Sequence, residues 1–553
     1  MKDNRMKLFL SILISVSLTV LSTAGCGKQE SNVTESPAKS ENQAAAASGP
    51  EPLTLPITKD KITLKLFVSL DAKSAATIKS YNEMLSFQEL EKRTNIRIDF
   101  IHPPAGQEKE HFNLILASAD YPDIISQDWS NYPGGPEKVL NDGIVTELKS
   151  YLDKYAPNFT KLLNDNPDIK KDIMTDTKKF HTFPFLRVEK TQRLSDGFQI
   201  RRDWLDKLGL QLPTTMDEWY NVLTAFKQKD PNGNGKADEL PFIAQKLSGG
   251  SNSLSNFTCG WGMTYGFYRD NGKVKFGPAE PQYKEFLQTM NKWFKQGLID
   301  PDFLSTDSKG FDSKVTGELG GSYFGLLNGN MGRFTGLMKD KNPKFLLSEV
   351  PYPKTSDGKS YNFTTGAARG APGGGYSIGS KNKYIKETVK WLDYWYSAEG
   401  IILMNFGLEG KTFVMENGSP KYTDLIMNNP DGLPLDQALN KYTVASTSGR
   451  LFQDPRYWNQ IMAYPNQREA MKILSAASTE RTIPPITATP DESKKLATII
   501  NEINTYVDEK TTKFIMGQEP LENFDKYMSD LKNMGMDDAL KIQQSALDRY
   551  DKR

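Results

Sequence analysis

Between Asp230 and Pro241, oxygen-bearing side chains recur at alternate positions: Asp230, Asn232, Asn234 and then Asp238, with Gly233 and Gly235 between them. Side-chain oxygens at positions 1, 3, 5 and 9 and a main-chain carbonyl at position 7 form the donor set of an EF-hand loop, which wraps Ca2+. Gly235 stands at position 6, where a residue without Cβ allows the sharp turn that brings the donors round one centre. The usual Glu at position 12 is missing, since Pro241 is there, and Glu239 at position 10 is the available carboxylate. A metal-free Asn-Gly turn is the other reading, but it needs only the glycines and leaves the alternating oxygens unexplained. The alternation favours Ca2+ in a structural role.

A second group of residues suits a polyhydroxylated ligand. Asp128 and Trp129, Trp261 and Tyr265, Arg333 after Asn328-Gly329-Asn330-Met331-Gly332, Tyr376, and Trp458 after Asp454-Pro455-Arg456-Tyr457 combine aromatic rings with planar polar groups in loops at strand ends. Rings cover apolar C–H patches and the polar groups hold paired hydroxyls. For each ring the alternative is a place in the core, and for Arg333 a structural ion pair in place of a uronate carboxylate. Trp204, Trp219, Trp293, Trp391 and Trp395 sit at helical spacing among apolar neighbours and are expected in the core.

Catalytic patterns are poor. Gly375-Tyr376-Ser377-Ile378-Gly379 matches G-x-S-x-G, but a nucleophile elbow needs a strand before it and a helix directly after. Gly373-Gly374 precede it and Ser380-Lys381-Asn382-Lys383 intervene before the next helix. The three histidines, His102, His111 and His181, all lie upstream and lack metal-ligand spacing. Gly358-Lys359-Ser360 has Pro353 where a phosphate-binding loop begins with Gly. The expectation is a protein that is not an enzyme.

The elements that position these residues start after an export segment. Lys2, Arg5 and Lys7 precede an apolar run from Leu8 to Leu21 and then Thr23-Ala24-Gly25-Cys26, the charged, apolar, small order of a secretory signal. The run is shorter than the roughly 20 residues that cross a bilayer as a helix. Its end resembles the lipobox of bacterial lipoproteins, in which Cys26 becomes the lipidated first residue; Thr23 departs from the usual Leu. A plain signal peptide with an incidental Cys is the alternative. Cys26 and Cys259 are the only cysteines, so an acylated Cys26 leaves no disulfide, which points to a bacterial envelope. Residues 27 to about 56 are rich in Ser, Glu, Ala, Pro and Gln and read as a flexible tether, residues 26–56 with the lipidated Cys26 included.

Over the whole chain 69 Lys and Arg stand against 68 Asp and Glu; without residues 1–25 the balance is 66 to 67, a net charge of −1. No overall field recruits nucleic acid. Its 553 residues suggest more than one domain. Ile62, Leu64, Leu66 and Val68 alternate as a strand, Met84 to Lys92 is helical, Ile96 to Phe100 is a strand, Phe112 to Ala117 is helical, and Asp123 to Ile125 is a strand. That order predicts a mostly parallel sheet flanked by helices. Strand and helix alternate to about residue 400, and from Asp491 the chain is mainly helical, with Leu521, Phe524, Tyr527, Leu531 and Met534 at steps of three and four.

Five stretches carry a family resemblance: Asp123-Ile124-Ile125 with Trp129; Ile200-Arg201-Arg202-Asp203-Trp204-Leu205-Asp206-Lys207-Leu208-Gly209 with Pro213-Thr214-Thr215; Asp230 to Pro241; Phe406-Gly407-Leu408-Glu409-Gly410; and Phe514-Ile515-Met516-Gly517 with Met534-Gly535-Met536. Over essentially all of the mature chain the sequence resembles the extracellular solute-binding proteins of bacterial carbohydrate ABC importers, of the large type that includes alginate-oligosaccharide binders. The resemblance implies an α/β, two-lobe, periplasmic-binding-protein-like (type II) fold with hinge strands and a helical C-terminal region. The N-terminal lobe is expected over 57–183 and 372–444 and the C-terminal lobe over 184–371 and 445–553, with crossings near Phe183-Pro184, Thr364–Ala371 and Val444. It also implies Asp230, Asn232, Asn234, Lys236 through its carbonyl, Asp238 and Glu239 as Ca2+ ligands, and cleft-facing positions for Trp129 and the Asn328–Arg333 loop. The implied function is capture of an oligosaccharide by a monomer, lipid-anchored on the outer face of a Gram-positive-type cell membrane, for delivery to importer permease subunits. A surface polysaccharide lyase or glycosidase, and a sugar sensor serving a membrane kinase, are the alternatives.

Overall fold

The computed structural model describes residues 50–364, 374–444 and 452–553. The signal segment, Cys26, the tether up to residue 49, and most of the expected crossing at Thr364–Ala371 lie outside the described residues.

The alternating run after Lys61 forms β1 (Ile62–Phe67). Its partners are β2 (Ile96–Ile101) and β3 (Ile124–Ser126), both parallel to it. β4 (Phe183–Pro184) completes the first segment of the lobe. Period-two alternation sends Leu64, Leu66, Ile98 and Ile124 to one face, where they pack with Phe87, Leu90, Phe159, Trp391 and Trp395. Phe67 and Ile125 point to the other face and meet Phe112, Trp129, Val139 and Val145. The helices Leu85–Thr94 and Ile385–Tyr394 carry residues of the first face, and Glu108–Ser118 and Gly135–Asn141 those of the second. This is a three-layer α/β/α lobe.

The second lobe has its own core. β5 (Asp196–Arg201) is reached from β4 through residues 187–193 and precedes the hairpin strands β6 (Phe267–Asp270) and β7 (Lys273–Phe276). β8 (Ser322–Leu326) and β9 (Leu347–Val350) flank β5, both antiparallel to it. Phe198, Ile200, Phe324 and Val350 join Trp204, Trp219, Phe257 and Trp293 in one cluster, with Ile503, Val507, Phe514 and Tyr527 from the C-terminal helices. All five tryptophans expected in the core are at most 1% exposed. The long helix Pro490–Met516 begins where local chemistry asks it to. Thr489 and Glu492 form a reciprocal capping box, Pro490 opens the first turn, and Gly517 ends it at φ +73°.

The first sheet is mixed, not mostly parallel. β10 (Gly375–Ile378) returns from the second lobe and enters between β3 and β4, antiparallel to both, giving the order β2-β1-β3-β10-β4. A strand that arrives from the other lobe owes nothing to a right-handed βαβ crossover, so it is free to run the opposite way.

The segment expected wholly in the N-terminal lobe up to Val444 is shared. β11 (Phe413–Glu416) and β12 (Ser419–Tyr422) form a hairpin whose Phe413 and Tyr422 join Phe406, Tyr457 and Trp458 in the second core. Helix Leu435–Tyr442 then returns, and Val444 belongs to the first core. Near the crossing, Gln453 N donates to Leu186 O at 2.9 Å and Gln192 Nε2 to Gln453 O at 2.8 Å, so two connecting segments run side by side.

Candidate functional site

A cavity of about 350 Å³ opens between the two lobes. The first lobe contributes Gln127, Asp128, Trp129 and Ser130, just beyond the C-terminal end of β3, where ligands of open α/β sheets gather. It adds Asp172 in the last turn of the helix Pro167–Ile173, Thr175 just after that helix, and His181 and Thr182 before β4. The second lobe contributes Phe267 of β6, the segment Ile483-Pro484-Pro485-Ile486-Thr487, and Gln543 and Arg553 at the C-terminus. The first-lobe wall therefore carries most of the polar groups, set among Trp129, Pro136, Ile173, Met174 and Pro184, and the second-lobe wall is largely apolar, a mixture that suits the hydroxyls and C–H faces of a sugar ring.

The polar wall is incompletely satisfied from within. His181 Nδ1 and Thr182 Oγ1 are buried with no hydrogen-bond partner in the protein. Burial drives the His181 imidazole down to about 4, with Asp128 opposing the shift and Arg553 adding to it, so the ring is neutral. Asp128 caps the short turn Trp129–Asn131, its Oδ1 accepting from Ser130 N at 3.1 Å and Ser130 Oγ at 2.6 Å. Asp172 Oδ1 accepts from Tyr550 Oη at 2.6 Å. Arg553 is spent on structure: Nε donates to Asp176 Oδ1 at 2.9 Å and Nη2 to Thr487 Oγ1 at 2.8 Å.

Of the seven residues read as ligand-binding, the cavity gathers Asp128 and Trp129. Trp129 borders it but is 1% exposed; its Nε1 donates to Ser377 Oγ at 2.7 Å and its ring meets Phe112 edge-on at 5.6 Å. It shapes the wall more than it offers a face. Tyr376 is a correction: it is 2% exposed in β10 and packs edge-on against Trp395 at 5.5 Å. Trp458 is a second, buried in the second core beneath the Arg187 guanidinium at 5.6 Å. Arg333 makes the structural ion pair, two 2.6 Å bonds to Asp312. Trp261 donates to Glu285 Oε2 at 3.1 Å and Tyr265 to Asp508 Oδ1 at 2.8 Å, both away from the cavity lining. Ser377 lies in mid-strand, wholly buried, and forms no nucleophile elbow.

Asp172, His181, Thr182 and the 483–487 segment escaped the sequence reading. The Pro484-Pro485 pair was the available signal, because such a segment is stiff and extended and can serve as a wall.

In the Asp230–Glu239 loop the Asp230 carboxylate accepts from Gly233 N, Asn234 N and Gly235 N at 2.9, 3.1 and 3.0 Å. Gly233 and Gly235 take φ of +77° and +76°, which an L side chain resists. Asn232 and Asn234 turn their amides to Asp238, at 3.3 and 3.1 Å. Glu239 is fully buried, both carboxylate oxygens are without a partner, and burial with Asp230 and Asp238 nearby raises its pKa. Among the described residues no three His, Cys, Asp or Glu side chains converge as a metal cluster. The orphaned carboxylate is nevertheless what a cation would satisfy, and in that sense the loop fits one.

Two α/β lobes enclosing one cavity at their junction define a protein that captures a solute. The family model for bacterial extracellular solute-binding protein matches residues 75–402, and the chain belongs to that family, which makes it a binding protein and not an enzyme. It is 27% identical over 568 residues to the fructooligosaccharide ABC transporter substrate-binding protein FusA of Streptococcus pneumoniae serotype 4, spanning 98% of this chain and 97% of FusA. The structure of FusA in complex with kestose matches with TM-score 0.70 at 25% identity, over 89% of this chain and 99% of that one. The alginate-binding protein AlgQ2, in a form without calcium ion, matches with TM-score 0.69 at 25% identity over the same shares. Lipoprotein LipO of Bacillus subtilis is 28% identical over 394 residues, 70% of this chain and 74% of its own.

Proposed function

We propose that this protein captures an oligosaccharide in the interlobe cavity and delivers it to the membrane subunits of an ABC importer. The observation that carries the reading is the cavity's two-sided chemistry: unpartnered buried polar atoms at His181 and Thr182 face a wall of Phe267, Ile483 and Pro484. A sugar bonds hydroxyls to the first and lays C–H faces on the second. Because the walls belong to different lobes, a bound sugar bridges them and favours the closed arrangement, which is the state a permease can recognise. FusA and AlgQ2, both oligosaccharide or polysaccharide binders by name, support the ligand class.

Acylation of Cys26 would hold a monomer at the outer face of the membrane, in keeping with the likeness to LipO. Ca2+ held by Asp230, Asn232, Asn234, the Lys236 carbonyl, Asp238 and Glu239 would neutralise the buried carboxylate and pin the loop of the second lobe. Thermal unfolding against a panel of oligosaccharides tests the function, since a ligand of the folded state raises Tm. A rise with one sugar recovered intact is expected; degradation of the sugar, or no shift with any member, would refute it.

A further inference from the structure

Resting on the reading that the junction of the lobes holds an oligosaccharide, we infer a second sugar subsite beside the interlobe connection, where the Arg187 guanidinium, laid against Phe185 and Trp458, donates to ligand hydroxyls. Every other arginine among the described residues donates from its side chain to a protein oxygen, apart from Arg97 on the exposed face of β2. Arg187 is different: it forms no hydrogen bond or ion pair there, and its Nε is buried. Its guanidinium carbon stands 5.1 Å from the Phe185 ring centre and 5.6 Å from that of Trp458. Two rings hold the cation in place and leave its N–H edge uncommitted.

The position is built from the backbone up. Arg193 Nε donates to Arg187 O and its Nη2 to Val188 O, both at 2.9 Å, and Leu186 pairs with Phe452 across the connection. Burial lowers the Arg187 pKa, with Tyr457 and Asp196 opposing the shift. A buried donor without an acceptor destabilises the fold, so its retention calls for a partner that arrives from outside. The paired segments carry two more buried polar atoms without protein partners, Gln453 Oε1 and Trp458 Nε1. Donors and an acceptor together suit a hydroxyl, which accepts and donates at once. Asp196 already offsets the positive charge at a distance, so the ligand need not bring a carboxylate. Pro184 lines the cavity, and Arg187 follows it within about 11 Å of chain, a span that an oligosaccharide can bridge.

Calorimetric titration of the full-length wild type and Arg187→Met at pH 7 with kestose, maltotriose and trigalacturonate tests the inference, together with thermal unfolding of both without sugar. Met keeps an apolar stem against Phe185 and Trp458 and removes the donors. At least one trisaccharide is expected to bind the wild type, and the variant is expected to bind it about tenfold more weakly or worse. Its unliganded Tm should be unchanged or higher, because removal of an unpartnered buried donor relieves the fold. A lower Tm in Arg187→Met overturns the inference, since the guanidinium then serves the fold. Affinity within about threefold of the wild type overturns the subsite and leaves the oligosaccharide reading standing. Binding of none of the three by the wild type overturns both.

Discussion

Tyr550 Oη donates to Asp172 Oδ1 at 2.6 Å, so the last turn of the C-terminal helix Met536–Asp551 is tied to the opposite lobe at the rim of the cavity. Three charged neighbours reinforce the tie. Arg549 Nε and Arg553 Nε reach the two oxygens of Asp176 at 3.0 and 2.9 Å, and Lys171 Nζ lies 4.7 Å from the Tyr550 ring centre. The same helix is anchored in its own lobe by Leu547, packed with Val274, and by Gln544, which accepts from Val274 N at 2.8 Å.

Removal of residues 549–553 should therefore loosen the hold of one lobe on the other. Small-angle scattering of the truncated protein without sugar is expected to give a larger radius of gyration than the full chain. Arg553→Ala alone should cost about 2 kcal/mol, the scale of a hydrogen-bonded charge. Superimposable scattering curves would rule the clasp out.

The loop around Glu239 makes a metal-dependent prediction. EDTA should lower Tm and excess Ca2+ restore it, by about 2.7 kcal/mol when free Ca2+ is a hundred times its Kd. In Asp238→Ala, which loses the carboxylate facing Asn232 and Asn234, both responses should vanish. Identical melting with and without EDTA in the wild type would mean the loop stands without a cation.

Gly197 has no room for a side chain. A Cβ there would stand 1.9 Å from Glu349 Oε1 and 2.5 Å from Leu474 Cδ2. Gly197→Ala must displace the buried Glu349 and Leu474 side chains between β5 and the helix Pro465–Ser475, and a loss of about 2 kcal/mol is expected from urea unfolding. A loss under about 0.5 kcal/mol would show that the Glu349 side chain swings aside.

His181 predicts a pH dependence. Its imidazole titrates at about 4 when folded and at about 6.5 when unfolded. Between those values the unfolded chain holds more protons, so the stability tied to neutral His181 is complete above pH 6.5 and is lost as pH falls toward 4. The total is on the order of 3 kcal/mol. Asp196 and Asp393, each pushed up to about 6 by burial, act in the opposite sense, so the measurement is the difference between wild type and His181→Gln. That difference should shrink on acidification; a constant gap from pH 7.5 to 4.5 would contradict the assignment.

Local patterns were readable where local chemistry decides. Ile62, Leu64 and Leu66 alternate because one face of β1 is buried, and Thr489 to Glu492 is a helix start whatever surrounds it. The turn after Asp230 is likewise local, its carboxylate accepting from Gly233, Asn234 and Gly235 N. Burial of a single ring is different. Tyr376 and Trp458 look like Trp129 in their neighbours along the chain, and only Trp395 and Arg187, distant in sequence, decide that they are covered. The cavity draws on residues from Gln127 to Arg553, so no window of sequence contains it. The hairpin of β11 and β12 joined the second core for the same reason: Tyr457 and Trp458 lie downstream of it.

The place of β10 also dictates a schedule. It fills the gap between β3 and β4, yet it follows β3 by about 250 residues of chain. A growing or translocating polypeptide that has emerged only as far as Val350 would carry a complete second sheet and a first sheet with a slot in the middle, two unpaired strand edges facing one another. Until Ile378 appears, that slot is the stickiest part of the molecule, open to the wrong strand from a neighbour. The sheet begun first is thus closed after the sheet begun second, which leaves its edges open to misassembly while the chain is still emerging.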